Sequence, residues 1–414
     1  MIKFFQILFF SFCILSSVQS FAQENVATLA KKYPFLKTGL NTIGNSKALE
    51  NFYETLYQKI KKKSVIKIVH IGDSHIQADF FSGIVRKVLQ TNFGNSGRGL
   101  VTPYRLAKTG EPLDYDIFSN KKWKFHNIVG GKTPLPIGVS GITVKTEDLA
   151  STITIRVNDT TGMDYSFNSL TLFYEKGAST FDFNVYDSND NELGNINART
   201  ETQNRFISKI EFDTLIKSIK LQPVRKYLWL QQFTQIYGMS LENGKPGILY
   251  HTIGVNGATF QNYNSAEYFV EQLARLEPDL IIISLGTNDA YIKNFHTQEL
   301  YDNIDEFIST LRNEIPEASF LLTTPANSYK KRKKENPNVK TAATIIKQYC
   351  TANDVAYWDL YSIMGGNGSM LKWYKNGLAG KDKIHFTRTG YEIQGTLLSQ
   401  ALLNEFRIYK KLQH

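Results

Sequence analysis

The stretch VIKIVHIGDSHIQADFFSG, residues 65–83, joins a strand-like run to a helix-like run and decides the fold. Its first eight residues are mostly apolar and β-branched, which is typical of a strand buried on both faces. Apolar residues then recur at every fourth position and predict one wide apolar face of a helix. They are Ile76, Phe80, Ile84 and Val88, with Phe81, Val85 and Leu89 beside them. A buried strand followed by an amphipathic helix is the building unit of α/β folds.

The same alternation of strand and helix returns in the second half of the chain. Short apolar runs alternate there with helix-like patterns, which predicts a parallel sheet with helices on both faces. The predicted strands lie near 248–257, 279–287, 318–325 and 355–361, and the predicted helices span 260–276, 298–313, 341–352 and 388–405. The sequence thus predicts an α/β domain whose two parts are separated along the chain.

The segment between these two parts has a different texture. From about residue 116 to 243, short runs rich in Thr, Ile, Phe and Tyr are separated by turn signals such as DSNDNELGN at 187–195. This punctuation is typical of a β-sandwich. We therefore expect an α/β domain made of residues 23–115 and 247–414, interrupted by an inserted β-sandwich over 116–246.

The first residues have the pattern of a secretory signal. Lys3 supplies a positive start, residues 4–18 form a short apolar run, and small residues stand at Ser20 and Ala22, as a signal peptidase requires. A bilayer span needs about 20 apolar residues, so a cleaved signal over 1–22 is favoured over an uncleaved anchor. No later stretch of the sequence is long and apolar enough to span a membrane. We expect a soluble mature protein that is periplasmic or secreted.

Charge and cysteine content narrow the function classes further. The formal net charge of +10 favours anionic surfaces such as cell-wall polymers or membrane headgroups. The densest basic run, KKRKK at 330–334, is interpreted as a solvated loop, and no nucleic-acid-binding motif is found. Cys350 is left without a partner once Cys13 leaves with the signal, so we expect no internal disulfide and a buried, structural Cys350 thiol.

Open parallel sheets bind ligands beyond the carboxyl ends of their strands, so the residues after each predicted strand are candidate site residues. Ser74 lies between the first strand and its helix. There a base could activate its hydroxyl, and helix N–H groups could hold an oxyanion. Serine also commonly caps helices, and on position alone capping is the stronger interpretation.

Two further strand ends carry possible donors to an oxyanion. Gly257, in GVNGAT, has no side chain to shield its backbone N–H, although an ordinary glycine turn is the stronger interpretation when it is taken alone. Asn288, in GTND, offers a side-chain amide, and its alternative is a turn-forming Asn-Asp pair. Its neighbour Asp289 is expected to fix the loop rather than to react.

The last candidate pair stands just before the final helix, in GKDKIHFTRTGY. Asp382 and His385 are three residues apart, roughly one helical turn. A carboxylate so placed can accept the ring N–H of a histidine and leave the other ring nitrogen free as a base. The alternative is a capping aspartate beside a surface histidine. Each feature alone is weak, but a nucleophile, two oxyanion donors and a carboxylate–histidine pair, in this order, are hard to explain by chance.

At these residues the chain resembles the SGNH/GDSL hydrolases, through GDSH at 72–75, GVNGAT at 254–259, GTND at 286–289 and DKIH at 382–385. The resemblance implies a flavodoxin-like three-layer α/β/α domain. It implies Ser74 as nucleophile, His385 as general base and Asp382 as its orienting carboxylate. The oxyanion hole would be formed by the backbone N–H groups of Ser74 and Gly257 and the Asn288 amide. No metal and no organic cofactor are implied. His75 departs from the family's longer motif, and it is interpreted as a satisfied histidine at the helix start, as His70 is interpreted as structural.

Export, basic charge and a β-rich insertion resemble, more narrowly, the peptidoglycan O-acetylesterases of Gram-negative bacteria, which carry a carbohydrate-binding-module-like sandwich. This implies an exported serine esterase whose partner is an acetylated glycan, most closely peptidoglycan. Alternatives are an esterase of another polysaccharide such as xylan, an acyltransferase, and a glycan-binding protein with a vestigial site. The aromatic residues Trp123, Trp229 and Tyr237 could stack on sugar rings, but we expect most of them in the sandwich core.

Overall fold

A computed structural model of the protein describes residues 26–130, 134–199, 205–227 and 229–413. The predicted signal over 1–22 lies outside these residues. Across the described ranges, no helix combines the length and the apolar character that a membrane crossing requires.

The described chain forms two kinds of sheet. In chain order, its strands are β1 (Ile43–Gly44), β2 (Val65–Gly72), β3 (Gly99–Val101), β4 (Tyr115–Ser119), β5 (Lys124–Asn127), β6 (Ile142–Thr146), β7 (Ile153–Val157), β8 (Phe167–Tyr174), β9 (Asp182–Tyr186), β10 (Glu192–Ile196), β11 (Ile207–Ile216), β12 (Ser218–Val224), β13 (Thr234–Glu242), β14 (Gly247–Gly254), β15 (Leu280–Ser284), β16 (Ser319–Thr323), β17 (Tyr329–Lys330), β18 (Lys334–Glu335) and β19 (Ala356–Trp358).

The helices follow the α/β parts of the chain. After a helical segment at 26–32, they are α1 (Glu50–Lys61), α2 (Ser74–Gln77), α3 (Phe80–Phe93), α4 (Phe260–Asn264), α5 (Phe269–Ala274), α6 (Thr297–Glu314), α7 (Pro337–Ala352), α8 (Leu360–Ile363), α9 (Ser369–Lys375) and α10 (Arg388–Leu412). Short 3₁₀ helices span Thr38–Leu40, Ser46–Leu49 and Asp289–Tyr291.

The parallel sheet has the strand order β14-β2-β15-β16-β19, and the short β1 adds an antiparallel edge beside β19. This is the flavodoxin-like order, in which ligands bind where the order reverses. Alternate residues of β2 enter two cores: Ile66 and Ile68 pack in the core that includes residues of α1, α3 and α10, whereas Val69 and Ile71 pack in the core that includes residues of α4 to α7. The predicted three-layer α/β/α architecture is confirmed.

The insertion is a sandwich of two antiparallel sheets, again as predicted. One sheet has the order β10-β9-β12-β7-β4, and the other has the order β11-β8-β13-β6-β5. The strand β3 also pairs with β13, although it precedes the predicted start of the insertion at residue 116. Because the sandwich interior and one face of the parallel sheet share a continuous core, the two parts are packed together.

Two local predictions are wrong. The helix predicted after the first strand is interrupted between α2 and α3, because Asp79 adopts a left-handed conformation with φ 57°. The face predicted at 260–276 is likewise divided between α4 and α5. The basic run at 330–334 is solvated, as predicted, since residues 331–334 are exposed, and it forms the turn end of a small hairpin, β17–β18. The buried thiol of Cys350 is as predicted, and burial raises its pKa.

Four charged side chains are buried together where α3 meets the start of the sandwich. Asp79 accepts hydrogen bonds from both Arg86 and Arg98, and Asp114 accepts from the same two guanidinium groups. Each of the four side chains is at most 3% exposed. Because both carboxylates contact both cations, the charges balance locally, as buried charges require.

Candidate active site

Ser74 begins the short helix α2 directly after β2. The N-cap of this helix is Asp73, whose carboxylate accepts a hydrogen bond from the His75 N–H at 2.9 Å. The alternative that Ser74 caps the helix is therefore wrong. A side chain at Gly72 would lie 2.3 Å from Ile76, so the close approach of strand and helix that exposes Ser74 requires glycine there.

Ser74, His385 and Asp382 form a continuous chain of hydrogen bonds. The Ser74 Oγ lies 2.8 Å from His385 Nε2, and His385 Nδ1 lies 2.8 Å from Asp382 Oδ2. The other Asp382 oxygen accepts the backbone N–H groups of Ile384 and His385. Partial burial raises the pKa of Asp382, but these hydrogen bonds outweigh it and hold the pKa below its usual value. A hydroxyl, an imidazole and an ionised carboxylate are thus joined in the order that nucleophilic catalysis requires.

The segment that carries this pair is a turn and not a helix. Lys383, between the two residues, has a left-handed φ of 55°. Thr387 caps the following helix α10 by accepting the Gly390 N–H. The alternative that Asp382 caps this helix is therefore wrong.

The three predicted oxyanion donors lie near one another, but they differ in availability. Among the described residues, the backbone N–H groups of Ser74 and Gly257 have no hydrogen-bond partner. Gly257 has a φ of 85°, a conformation that favours glycine. The Asn288 amide donates to Asp73 Oδ2 and to the Ala258 carbonyl, each at 3.1 Å. An oxyanion would therefore have to share or displace one of these Asn288 bonds.

Two residues that the sequence analysis did not single out hold this arrangement in place. Gln77 accepts the Asn256 N–H at 2.8 Å and donates to the Gly110 carbonyl at 2.7 Å, so α2 is tied to the loop that carries Gly257. Asp73 joins α2 to Asn288, and burial raises its pKa to about 7. Aspartate is a preferred N-cap residue, so its position just before a predicted helix start could have indicated this role for Asp73.

Asp289 fixes the loop after β15, as predicted. Its carboxylate accepts the Phe260 N–H at 3.1 Å and so connects this loop to the start of α4. Burial raises the pKa of Asp289 to about 6.

His75 packs directly against His385. The two ring centroids are 5.3 Å apart, and His75 Nδ1 lies 2.9 Å from the Tyr391 hydroxyl. His75 Nε2 is buried without a partner among the described residues, so the prediction of a fully satisfied histidine holds for one nitrogen only. Burial lowers the pKa of His75 to about 3, with a further contribution from His385. A neutral His75 adds no charge beside the candidate base.

His70 is structural, as predicted. It is fully buried in β2, with Nδ1 2.7 Å from the Tyr250 hydroxyl and Nε2 2.7 Å from Ser284 Oγ. Burial lowers its pKa to about 3. The folded protein therefore keeps His70 neutral where the unfolded chain would protonate it.

This difference predicts a specific pH dependence of stability. Unfolded His70 binds a proton below about pH 6.5. The stability that the buried, neutral His70 gives the folded protein is therefore complete above that pH and is lost as the pH falls towards 3. Between pH 6 and 4, His70→Gln should lessen the loss of unfolding free energy by about 1.4 kcal/mol per pH unit. Urea denaturation of the wild type and of His70→Gln across this range measures how steeply the unfolding free energy of each falls with pH. Equal slopes for the two proteins would contradict a neutral buried His70.

The three aromatic residues considered for sugar stacking have separate positions. Trp123 and Tyr237 are buried in the sandwich core, which confirms the prediction for most of them. Trp229 is 82% exposed and lies outside the core. In the described part of the chain, no three His, Cys, Asp or Glu side chains are grouped so that they could hold a metal ion.

Comparison with known proteins gives a family match over part of the chain. Residues 225–393 match the GDSL-like lipase/acylhydrolase family. This range includes Gly257, Asn288, Asp382 and His385, whereas Ser74 precedes it. No curated protein matches the chain.

Solved structures extend the comparison to the whole fold. A peptidoglycan O-acetylesterase is 21% identical, with a TM-score of 0.72 over 86% of this chain and 96% of its own. A GDSL-like lipase from Bacteroides thetaiotaomicron is 22% identical, with a TM-score of 0.31 over 37% of this chain and 76% of its own. An acetylxylan esterase from Geobacillus stearothermophilus is 22% identical, with a TM-score of 0.28 over 39% and 73%. The first of these likenesses shows a shared fold that includes the inserted sandwich.

Proposed function

We propose that this chain is an exported carboxylic ester hydrolase of the SGNH type and that it removes O-acetyl groups from peptidoglycan. The match to the GDSL-like lipase/acylhydrolase family supports the hydrolase class. The observation that carries the proposal is the Ser74–His385–Asp382 chain, with its two hydrogen bonds of 2.8 Å. This arrangement suits acyl transfer from an ester to water.

In the proposed reaction, Ser74 Oγ attacks the acetyl carbonyl while His385 Nε2 accepts the hydroxyl proton. Asp382 holds the ring in the tautomer that leaves Nε2 free and stabilises the imidazolium that forms. The oxyanion receives hydrogen bonds from the N–H groups of Ser74 and Gly257 and from Asn288. The sugar oxygen leaves with the proton from His385. Water then attacks the acetyl-enzyme by the same route and releases acetate and free Ser74.

The choice of polymer has separate support. The solved peptidoglycan O-acetylesterase resembles this chain over both the α/β domain and the sandwich, with 86% of the chain covered. The net charge of +10 favours an anionic wall polymer. The signal-like pattern at residues 1–22 supports export to the compartment where peptidoglycan lies.

An acetate-release assay identifies which polymer is the substrate. The purified protein is incubated with O-acetylated peptidoglycan and with acetyl-xylan at matched acetyl content, and the acetate released is quantified. We expect a clear preference for peptidoglycan. A preference for xylan would overturn the proposed polymer while retaining the esterase, and binding of polymer without any acetate release would overturn the esterase itself.

Asn288→Ala tests the third oxyanion donor. Loss of one such donor commonly lowers turnover by about 10²–10³-fold, because the interaction is strongest in the transition state. We expect this loss in kcat with p-nitrophenyl acetate, with little change in KM. Asn256→Ala is the matched control, since its amide contacts Thr109 and lies next to Gly257. If Asn288→Ala lowers kcat by less than about threefold, the Asn288 amide is not an oxyanion donor. The backbone N–H groups of Ser74 and Gly257 would then be the donors.

A further inference from the structure

The basic run at 330–334 lies beside the turn that carries the candidate base. It forms the end of the hairpin β17–β18, and the Tyr329 N–H donates a hydrogen bond to the Lys383 carbonyl at 2.9 Å. Lys383 stands two residues before His385, and its Nζ donates to the Arg332 carbonyl at 3.3 Å. The hairpin and this turn are therefore joined by two hydrogen bonds.

The same hairpin also contacts the loop of the third proposed oxyanion donor. The Lys331 N–H donates to the Tyr291 hydroxyl at 3.2 Å, and the Asn336 amide, just after the hairpin, donates to the Ala290 carbonyl at 3.0 Å. Tyr291 ends the 3₁₀ helix that directly follows Asn288. Because it is bonded to two of the loops that build the candidate site, the hairpin borders that site.

The charges at this border are not balanced by nearby carboxylates. Within the ranges that the structure describes, neither residues 330–334 nor Lys383 form an ion pair. The adjacent Glu335 carboxylate instead accepts the Asn327 amide and the Gly368 N–H. Residues 331–334 are exposed to solvent. Cations clustered in this way repel one another and attract an anion.

The turn of the hairpin has a conformation that favours other residues. The Lys333 N–H donates to the Lys330 carbonyl at 3.1 Å, and the two residues between them, Lys331 and Arg332, have left-handed φ values of 50° and 64°. Glycine and asparagine are preferred where both central residues of a turn have positive φ. Here both positions carry long cationic side chains, which a role for their charge explains and the turn alone does not.

We propose that residues 330–334 and Lys383, together called the basic rim, bind carboxylate groups of the polymer and hold it at the candidate active site. This role rests on the proposed function, since the peptides of peptidoglycan carry carboxylates. The position of the rim beside the catalytic turn favours an anion of the substrate over the phosphate of a membrane lipid. Lysine and arginine at an exposed turn can reach carboxylates at several spacings along a polymer.

Removing charge from the basic rim tests this role in the Ser74→Ala background, where binding is measured without turnover. The rim variant is Lys331→Gln/Arg332→Gln/Lys333→Gln, and the control variant is Lys61→Gln/Lys62→Gln/Lys63→Gln. The control removes three equally exposed charges just before β2, at the opposite edge of the sheet from Ser74. In sedimentation with insoluble peptidoglycan, we expect about tenfold weaker binding for the rim variant and a change within about twofold for the control. High salt should reduce the difference, because it screens exposed charges, and melting temperatures show whether both variants fold.

Blocking the carboxylates of the polymer tests the partner. Peptidoglycan amidated with ethanolamine through a carbodiimide should bind the Ser74→Ala protein about tenfold more weakly, and the rim variant should lose little further affinity, because both changes remove the same contact. Vesicles that contain phosphatidylglycerol supply phosphate as the other anion. The role of the basic rim is overturned if amidation has no effect, if the two triple variants lose equal affinity, or if the rim variant loses affinity for the vesicles alone. Rim-dependent binding without any acetate release would instead overturn the esterase and leave the rim as a polymer-binding surface.

Discussion

Ser74→Ala is expected to lower the hydrolysis of acetyl esters by about 10⁴-fold or more, with the fold retained. In the proposed reaction the Ser74 hydroxyl forms the acyl-enzyme, and its side chain contacts His385 through a single 2.8 Å hydrogen bond. Alanine preserves the backbone N–H at this position and favours the helix. The rate with p-nitrophenyl acetate measures the loss of activity, and the melting temperature shows whether the fold is retained.

Two comparisons make the Ser74 result specific. Ser46→Ala changes a serine that also begins a short helix, Ser46–Leu49, and its rate should stay within twofold of wild type. The double variant Ser74→Ala/His385→Ala should be no slower than Ser74→Ala alone, because residues that act as one unit do not lose activity additively. A wild-type rate in Ser74→Ala would show that another residue attacks the ester.

The central strand could be predicted because burial on two faces leaves a run of apolar residues, whereas the flavodoxin-like architecture was implied only by the family resemblance. The run at 65–72 forms β2 with the predicted bounds, and the helix predicted at 298–313 extends by one residue at each end in α6. The interruption between α2 and α3 could not be read from apolar spacing. Asp79 has to leave the helical conformation to meet Arg98, and Arg98 lies 19 residues further along the chain.

In the candidate site, too, contacts between residues close in sequence could be predicted, whereas contacts between distant residues could not. Asp382 and His385 are close in sequence, so their pairing could be predicted from spacing, although the intervening turn is not helical. Gln77 was not found, because its role depends on the loop at Asn256, which is distant in sequence. Core positions were expected for most of the three aromatic residues, but the sequence could not indicate that Trp229 would be the exposed one.

Asp79→Asn should reduce the free energy of unfolding by about 3–5 kcal/mol, because it leaves Arg86 and Arg98 buried with Asp114 as their remaining carboxylate partner. Asparagine tolerates the left-handed conformation of Asp79, so the loss measures charge rather than backbone strain. Urea denaturation followed by fluorescence gives the change.

The matched control for this buried network is Asp159→Asn, which breaks an exposed ion pair with Lys217 and should cost less than about 1 kcal/mol. Adding Arg98→Met to Asp79→Asn removes one surplus cation and should recover part of the lost stability, since the remaining pair, Arg86 and Asp114, is again balanced. If Asp79→Asn and Asp159→Asn cost the same, charge balance is not what fixes α3 against the sandwich. If the double variant is less stable than Asp79→Asn alone, the Arg98 side chain stabilises this junction by packing rather than through its charge.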